Sequence, residues 1–504
     1  MCCCGMNRRD FLTMTTGMVA GAGLGAPAAV GAAGTRPWAP DEWNPDAPFR
    51  TAGRPLKVQP ILMYGVARKR EATSWRSWGG VQSDEAAAQE ADQITRELKA
   101  TVAESPVGLD IRPVTRVKTA EEATRAAQTD ADVVVVYPAS GGGNLLRACF
   151  PKQADAIIFV RHRSGPIYYW YEALSVKYLR TDEPPDGVSV HDVVVDDYGE
   201  LLWRLRGLYG VRNFLGCRIV ALGGAQGKYA PEAPKVAVEK YKHQIVEVGY
   251  KDFEPRIRRA LADDGIRARV EKWTDRYLHL PGTTLATERK FIANAFVLYG
   301  LFKELVREHE ASAFTINHCM GTIMPMSQTT ACLTLSLMND EGLPAFCESD
   351  FVVIPAGILL RYVSGRPVFM TNSTFPHKGL VTCAHCTSPR RMDGVRYEPS
   401  KIVTHYESDY GAAPKVEMPR GQVVTFVDPE YAVGRWVGFT GRIEGNPFYD
   451  ICRSQQDVEI RGHWKKLLKE VRDSHWMMAY GDHLDAVGYA ARKIGIRWET
   501  LADA

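Results

Sequence analysis

The run Ala131-Asp132-Val133-Val134-Val135-Val136-Tyr137 is continuous, β-branched and too short for a helix. A strand with water on one side alternates apolar and polar side chains. A run without alternation belongs to a strand covered on both faces, as in a parallel sheet packed between helices. The neighbouring segments agree. Residues 57–64 and 154–160 are further short apolar runs, and residues 83–102 set Ala and Leu at helical spacing among Glu, Gln and Lys. This alternation predicts a Rossmann-like α/β layer.

A second such layer is expected from near His191, with strands at 218–222 and 244–248, helices at 198–208, 235–242 and 253–263, and a long helix at about 286–309. Around Ser312 the pattern changes to strands with many turns. From 367 to 437 short β runs broken by Gly, Pro, Asn and Asp predict a compact β domain, followed by helices at 464–472 and 484–494. The fold class expected is therefore α/β: two Rossmann-like domains (56–185 and 186–340) and a compact C-terminal β domain with terminal helices (341–504).

The composition of the 504 residues is that of a globular enzyme: 45% hydrophobic, 24% charged and 10% aromatic. These values exclude a disordered, collagen-like or coiled-coil chain. With 62 basic and 59 acidic residues the net charge is only +3, so no nucleic-acid partner is expected. Beyond the N-terminus no run of apolar residues is long enough to span a bilayer, so no stable membrane insertion is expected either.

Asn7-Arg8-Arg9-Asp10-Phe11-Leu12 precedes a charge-free Gly/Ala-rich stretch, with small residues at Ala28, Ala32 and Ala33. That order predicts a twin-arginine signal over 1–34 and a linker over 35–55. The expected location is the periplasm or cell envelope, with the Tat translocase as a transient partner. The eight cysteines beyond this segment are spread too thinly for a disulfide framework.

Three motifs fail on inspection. Gly141-Gly142-Gly143-Asn144 lacks the third glycine of a dinucleotide fingerprint. Gly223-Gly224-Ala225-Gln226-Gly227-Lys228-Tyr229 lacks the first Gly and the final Ser/Thr of a phosphate loop. Both are expected to be tight β-to-α turns. Cys383-Ala384-His385-Cys386 has no second Cys pair to complete a zinc site.

The chemistry is carried by three other segments. In Cys347-Glu348-Ser349-Asp350 two carboxylates stand two residues apart within an apolar run; on a strand they would share one face. Buried carboxylates need partners, and a cation is one. His385 ends an apolar strand, and His475 begins another. Glu348, Asp350, His385 and His475 thus form a mixed O/N set suited to Mn2+, Co2+ or Mg2+.

These segments, with Ser74-Trp75-Arg76-Ser77-Trp78-Gly79-Gly80, Phe369-Met370-Thr371-Asn372 and the Gly481-Asp482 turn, occur in an order that resembles the L-fucose/L-arabinose isomerase superfamily, most closely its fucose-isomerase-like members. The resemblance implies a Mn2+-dependent aldose–ketose isomerase working through a cis-enediolate on a monosaccharide. It also implies two Rossmann-like domains followed by a β-barrel-like C-terminal domain, in a homotrimer or homohexamer in which a neighbour's N-terminal domain closes the site. Glu348 would be the metal-binding, proton-transferring glutamate, Asp350 a further metal and catalytic carboxylate, and His385 and His475 the metal-site histidines. Trp75, Arg76, Trp78 and Asn372 are candidates for sugar contact. Where the arabinose isomerases carry a second acid, this chain has neutral Thr371 and Asn372. That departure leaves two alternatives: an exported non-catalytic carbohydrate-binding protein on the same scaffold, or another metal-assisted sugar reaction such as epimerisation or aldol cleavage.

Overall fold

A computed structural model describes residues 43–50, 53–76, 78–162, 187–430, 434–470 and 473–501. The expected signal segment and about half of the linker lie outside these residues.

The valine run forms β4 of a fully parallel sheet. Its members are β1 (Leu56–Met63), β2 (Leu109–Ile111), β3 (Thr115–Val117), β4 (Val133–Pro138), β5 (Asp155–Val160) and β6 (Val193–Val195). They lie in the order β2-β1-β4-β5-β6, with β3 continuing along the same edge of β1 as β2. Every residue of β4 is buried, as its lack of alternation required. The helix Asp84–Ala103 starts where Ser83 accepts a hydrogen bond from the Ala86 amide, and its Ala87, Ala91, Ile94 and Leu98 face the core.

A second parallel sheet contains β7 (Arg218–Leu222), β8 (Gln244–Val248), β10 (Ala313–Ile316) and β11 (Ala345–Phe346), in the order β11-β10-β7-β8. The intervening β9 (Thr283–Leu285) departs to a separate three-stranded sheet with β14 (Ser400–His405) and β15 (Tyr410–Val416).

The C-terminal part closes on itself. Strands β12 (Phe369–Ser373), β13 (Leu380–His385), β16 (Val423–Pro429), β17 (Arg435–Gly445), β18 (Ser454–Ile460) and β19 (His475–Tyr480) pair in the cyclic order β16-β19-β12-β13-β18-β17, and β17 returns to β16. β20 (Arg497–Thr500) adds alongside the first residues of β17. Phe369, Val381, Phe426, Phe439, Trp476 and Met478 belong to one core cluster inside this six-stranded barrel. The alternate residues Met370 and Met477 face outward and join a different cluster. There the helix Ile354–Ser364 lies so close that a Cβ on Gly357 would stand 2.8 Å from the Met477 sulfur. Among the described residues no helix is long and apolar enough to cross a membrane.

Two sequence expectations are corrected. The strands expected after Ser312 are largely helices: Ile323–Ser327, Cys332–Glu341 and Ile354–Ser364 follow β10. All eleven residues of the last are buried. A helix enclosed on all sides carries no amphipathic period, which is why its sequence does not announce it. In addition, the second parallel sheet continues past residue 341, because β11 pairs with β10.

Candidate metal centre

The site forms where the second sheet meets the barrel. β11 ends at Phe346, and the chain then turns through Glu348 (φ 61°) and Ser349 (φ 47°), both left-handed. Glu348 and Asp350 therefore do not share a strand face as the two-residue spacing predicts. The turn puts their carboxylates to different uses. Two successive left-handed non-glycine residues cost about 1–2 kcal/mol each, so neighbouring contacts must hold the turn.

Those contacts come from the glycine-rich loop after β7. The Gln226 amide donates to Ser349 O (3.2 Å), the Phe351 amide donates to Gln226 O (2.8 Å), and Gln226 Nε2 donates to Glu348 O (2.7 Å). The Lys228 amide donates to Asp350 Oδ1 at 2.9 Å. Gly227 lets the loop fold this tightly, since a Cβ there would lie 2.0 Å from Ala230 O. The loop is a β-to-α turn as expected, but it is also a brace for the acidic turn.

Asp350 is wholly buried. Its Oδ1 also accepts from the Val352 amide (3.2 Å), and its Oδ2 is 2.8 Å from His475 Nδ1. Both oxygens are thus engaged away from the cluster, placing Asp350 behind His475, where it orients the ring. Glu348 alone points its carboxylate at the imidazoles: Oε1 is 3.8 Å from His385 Nε2 and Oε2 is 3.6 Å from His475 Nε2.

His385 and His475 stand at strand ends of the barrel, β13 finishing at the former and β19 starting at the latter. His385 Nδ1 is 3.0 Å from Thr387 Oγ1. The Asp350 carboxylate only accepts, which puts the His475 proton on Nδ1 and the lone pair on Nε2; His385 presents the same lone pair when Thr387 Oγ1 accepts from its Nδ1–H. Both Nε2 atoms are buried without a hydrogen-bond partner. One ligand atom from each of Glu348, His385 and His475 lies within 4.8 Å of the others, so the three could hold a metal ion. Ligands about 2.0–2.2 Å from a common cation are roughly 3–4 Å apart, so small side-chain rotations suffice.

The electrostatics match that use. Burial pushes the Glu348 carboxyl up, but its closeness to His385 and His475 and the charge of Lys228 outweigh it and hold the group well below the usual carboxylate range. Burial pushes His385 down, favouring the neutral ring a metal requires. Nearby, burial and the charge of Asp350 push Asp473 up to about 6.

The remaining expected residues are distributed unevenly. Asn372 lies opposite His475 in the β12–β19 ladder, and its Oδ1 is buried without a hydrogen-bond partner. Thr371 is fully buried, its hydroxyl 3.5 Å from Trp476 O. Trp75, Arg76 and Trp78 follow β1 in the first sheet, a segment from which the metal-ligand cluster draws no member. Arg76 stacks on Trp75 at 4.9 Å, and Trp78 is 54% exposed; Ser77 lies outside the described residues. In Cys383-x-x-Cys386, Cys383 packs inside the barrel, whereas Cys386 packs with Cys332 and Cys452. Asn317 bonds with Tyr250 and the end of β7, and Cys319 meets the start of the acidic turn, its Sγ 3.9 Å from Cys347 Sγ.

Lys228 was the residue that sequence reasoning missed. Its Nζ is 3.7 Å from Glu348 Oε2. The only signal was an incomplete phosphate loop, which gave no reason to pair it with a glutamate 120 residues onward in the chain.

Comparison with known proteins gives no family: no protein-family model matches the chain, and no curated protein matches it.

Proposed function

We propose that this protein is a metal-dependent aldose–ketose isomerase acting on a monosaccharide, with Mn2+, or Co2+ or Mg2+ in its place, as the cofactor. The observation that carries the reading is the convergence of two buried, orphaned imidazole nitrogens on the Glu348 carboxylate. The mixed O/N donor set favours such ions over a thiolate-bound structural zinc. Support also comes from the architecture, since two parallel α/β layers followed by a closed barrel are what the resemblance to the L-fucose/L-arabinose isomerase superfamily implies.

When bound, the divalent ion would supply Lewis-acid stabilisation of the charge that develops on adjacent sugar oxygens. The protein's own residues do the rest. Asp350 keeps the proton on Nδ1 of His475, so that its Nε2 stays a ligand, and Thr387 Oγ1 is placed to accept from Nδ1 of His385 to the same effect. The Glu348 carboxylate is charged and close enough to the same centre to move a proton between C1 and C2. Asn372 offers an unpaired amide oxygen to a sugar hydroxyl beside His475. Trp75, Arg76 and Trp78 serve this site by stacking on sugar across a subunit boundary in a homotrimer or homohexamer. Export by the twin-arginine route places the reaction in the periplasm or cell envelope.

One observation favours a second reading. Thr371 and Asn372 bring no second acid, as suits an exported carbohydrate-binding protein or a different metal-assisted sugar reaction. Incubating the mature protein with Mn2+ and a panel of pentoses and 6-deoxyhexoses in D2O decides between them. Deuterium at C1 of newly formed ketose and at C2 of the recovered aldose, both lost on chelation, is the expected result. Sugar binding without label would establish the binding protein instead.

A further inference from the structure

We propose that Lys228 is a second catalytic residue of this centre, donating from its ammonium to the oxyanion that develops on the substrate. The inference rests on the metal-centre reading above and assigns a role to the incomplete phosphate loop, a motif that reading leaves over.

The first argument is charge balance. A divalent cation and the Lys228 ammonium would face one carboxylate, Glu348, while the other close donors, His385, His475 and Asn372, are neutral. Asp350 adds a second negative charge behind His475, where it is hydrogen-bonded to that ring and to two backbone amides, so the cation and the ammonium together still exceed the two carboxylates by one charge. A largely buried site with excess positive charge is unfavourable until an anion enters it. A neutral sugar brings no such anion in the ground state but develops one as its C–H proton is removed. The excess is therefore compensated at the transition state rather than before it.

The second argument is placement. The Lys228 side chain is 15% exposed and reaches Glu348 Oε2 at 3.7 Å, on the same oxygen that approaches His475. Its backbone amide is bonded to Asp350, which also orients His475. Lysine and histidine are thus positioned by the two oxygens of one buried carboxylate. Gln226 ties the same loop to the backbone around Glu348. With its backbone anchored in this way and its ammonium 3.7 Å from the Glu348 carboxylate, the lysine is already at the site where charge develops.

The test uses the full-length protein, its K228M and K228R variants, Mn2+, and two probes. D-threonohydroxamate is an anionic mimic of the enediolate, and D-threitol is a neutral polyol of the same length. Calorimetry would measure Mn2+ binding first, then each probe on the Mn2+-loaded protein. K228M is expected to weaken hydroxamate binding about tenfold or more while changing threitol less than twofold, with K228R recovering part of the loss. Mn2+ itself should bind K228M at least as tightly as the unaltered protein, because a like charge has been removed from beside the cation. A lysine that only supported the Glu348 turn would weaken Mn2+ and both probes together, and that outcome overturns the proposal. Equal hydroxamate affinity in K228M overturns it as well. Failure of the unaltered protein to bind Mn2+ would overturn the metal reading itself, and is separately visible in the first titration.

Discussion

Replacing Asp350 with asparagine tests the centre at the point where its parts join. The substitution is isosteric. An asparagine Oδ1 can still accept from the Lys228 and Val352 amides, now 2.9 and 3.2 Å from Asp350. The other position changes sign, because an NH2 group would face His475 Nδ1 where a carboxylate oxygen stands at 2.8 Å. To accept from it, the imidazole must move its proton from Nδ1 to Nε2, the nitrogen that points at Glu348. Binding a metal then requires the disfavoured tautomer with two N–H groups opposed. A lost charge-assisted hydrogen bond is worth about 1.5–3 kcal/mol, so Mn2+ affinity should fall about 10- to 100-fold. Competition against a chelator near neutral pH gives the affinity, and 15N resonances of the His475 ring report the tautomer. Thermal unfolding without metal confirms that the variant is folded. An affinity within twofold of the unaltered protein, with the proton still on Nδ1, would refute the reasoning.

Three further outcomes are expected. Glu348→Gln removes the only anionic member of the Glu348–His385–His475 cluster, and should weaken Mn2+ more than Asp350→Asn while circular dichroism stays unchanged. Burial, opposed by the Arg390 and Arg391 amides, pushes Asp340 up from 3.8 to about 7. Its folded form holds a proton that the unfolded form releases, so stability should fall as pH rises from about 4 to 7. Asp340→Asn should flatten that slope in urea unfolding. Burial and the charge of Arg206 push His483 down to about 3, and its nitrogens are engaged by Arg206 and by Tyr480 O at 2.8 Å each. It is neutral when folded, so stability should be lost as pH falls below about 6.5, and His483→Gln should reduce that loss.

How much was legible depended on the range of the interaction. The strands 218–222 and 244–248 fall where their apolar runs place them, and the long helix Arg289–Glu308 lies within the expected span. The strand positions of His385 and His475 were legible for the same reason. The helix Ile354–Ser364 was not, because complete burial removes the polar face that makes a period visible. The turn at Glu348 and Ser349 was not either. Alternating residue types favoured a strand, and only the hydrogen bonds of Gln226 show why left-handed backbone persists there.

By itself the sequence determined the α/β layers, a compact β domain and the identity of the residue types able to bind a cation. These follow from periodicity and side-chain chemistry within a few residues. The tertiary structure alone decided which carboxylate faces the imidazoles and which stands behind them. Asp350 meets His475 across 125 residues of chain and Lys228 across 122. No local pattern encodes such pairings, because closing loops of that length is favoured only by the packing of whole sheets and a barrel against one another. The division of labour between Glu348 and Asp350, and the place of Lys228 beside them, are therefore properties of the assembled fold.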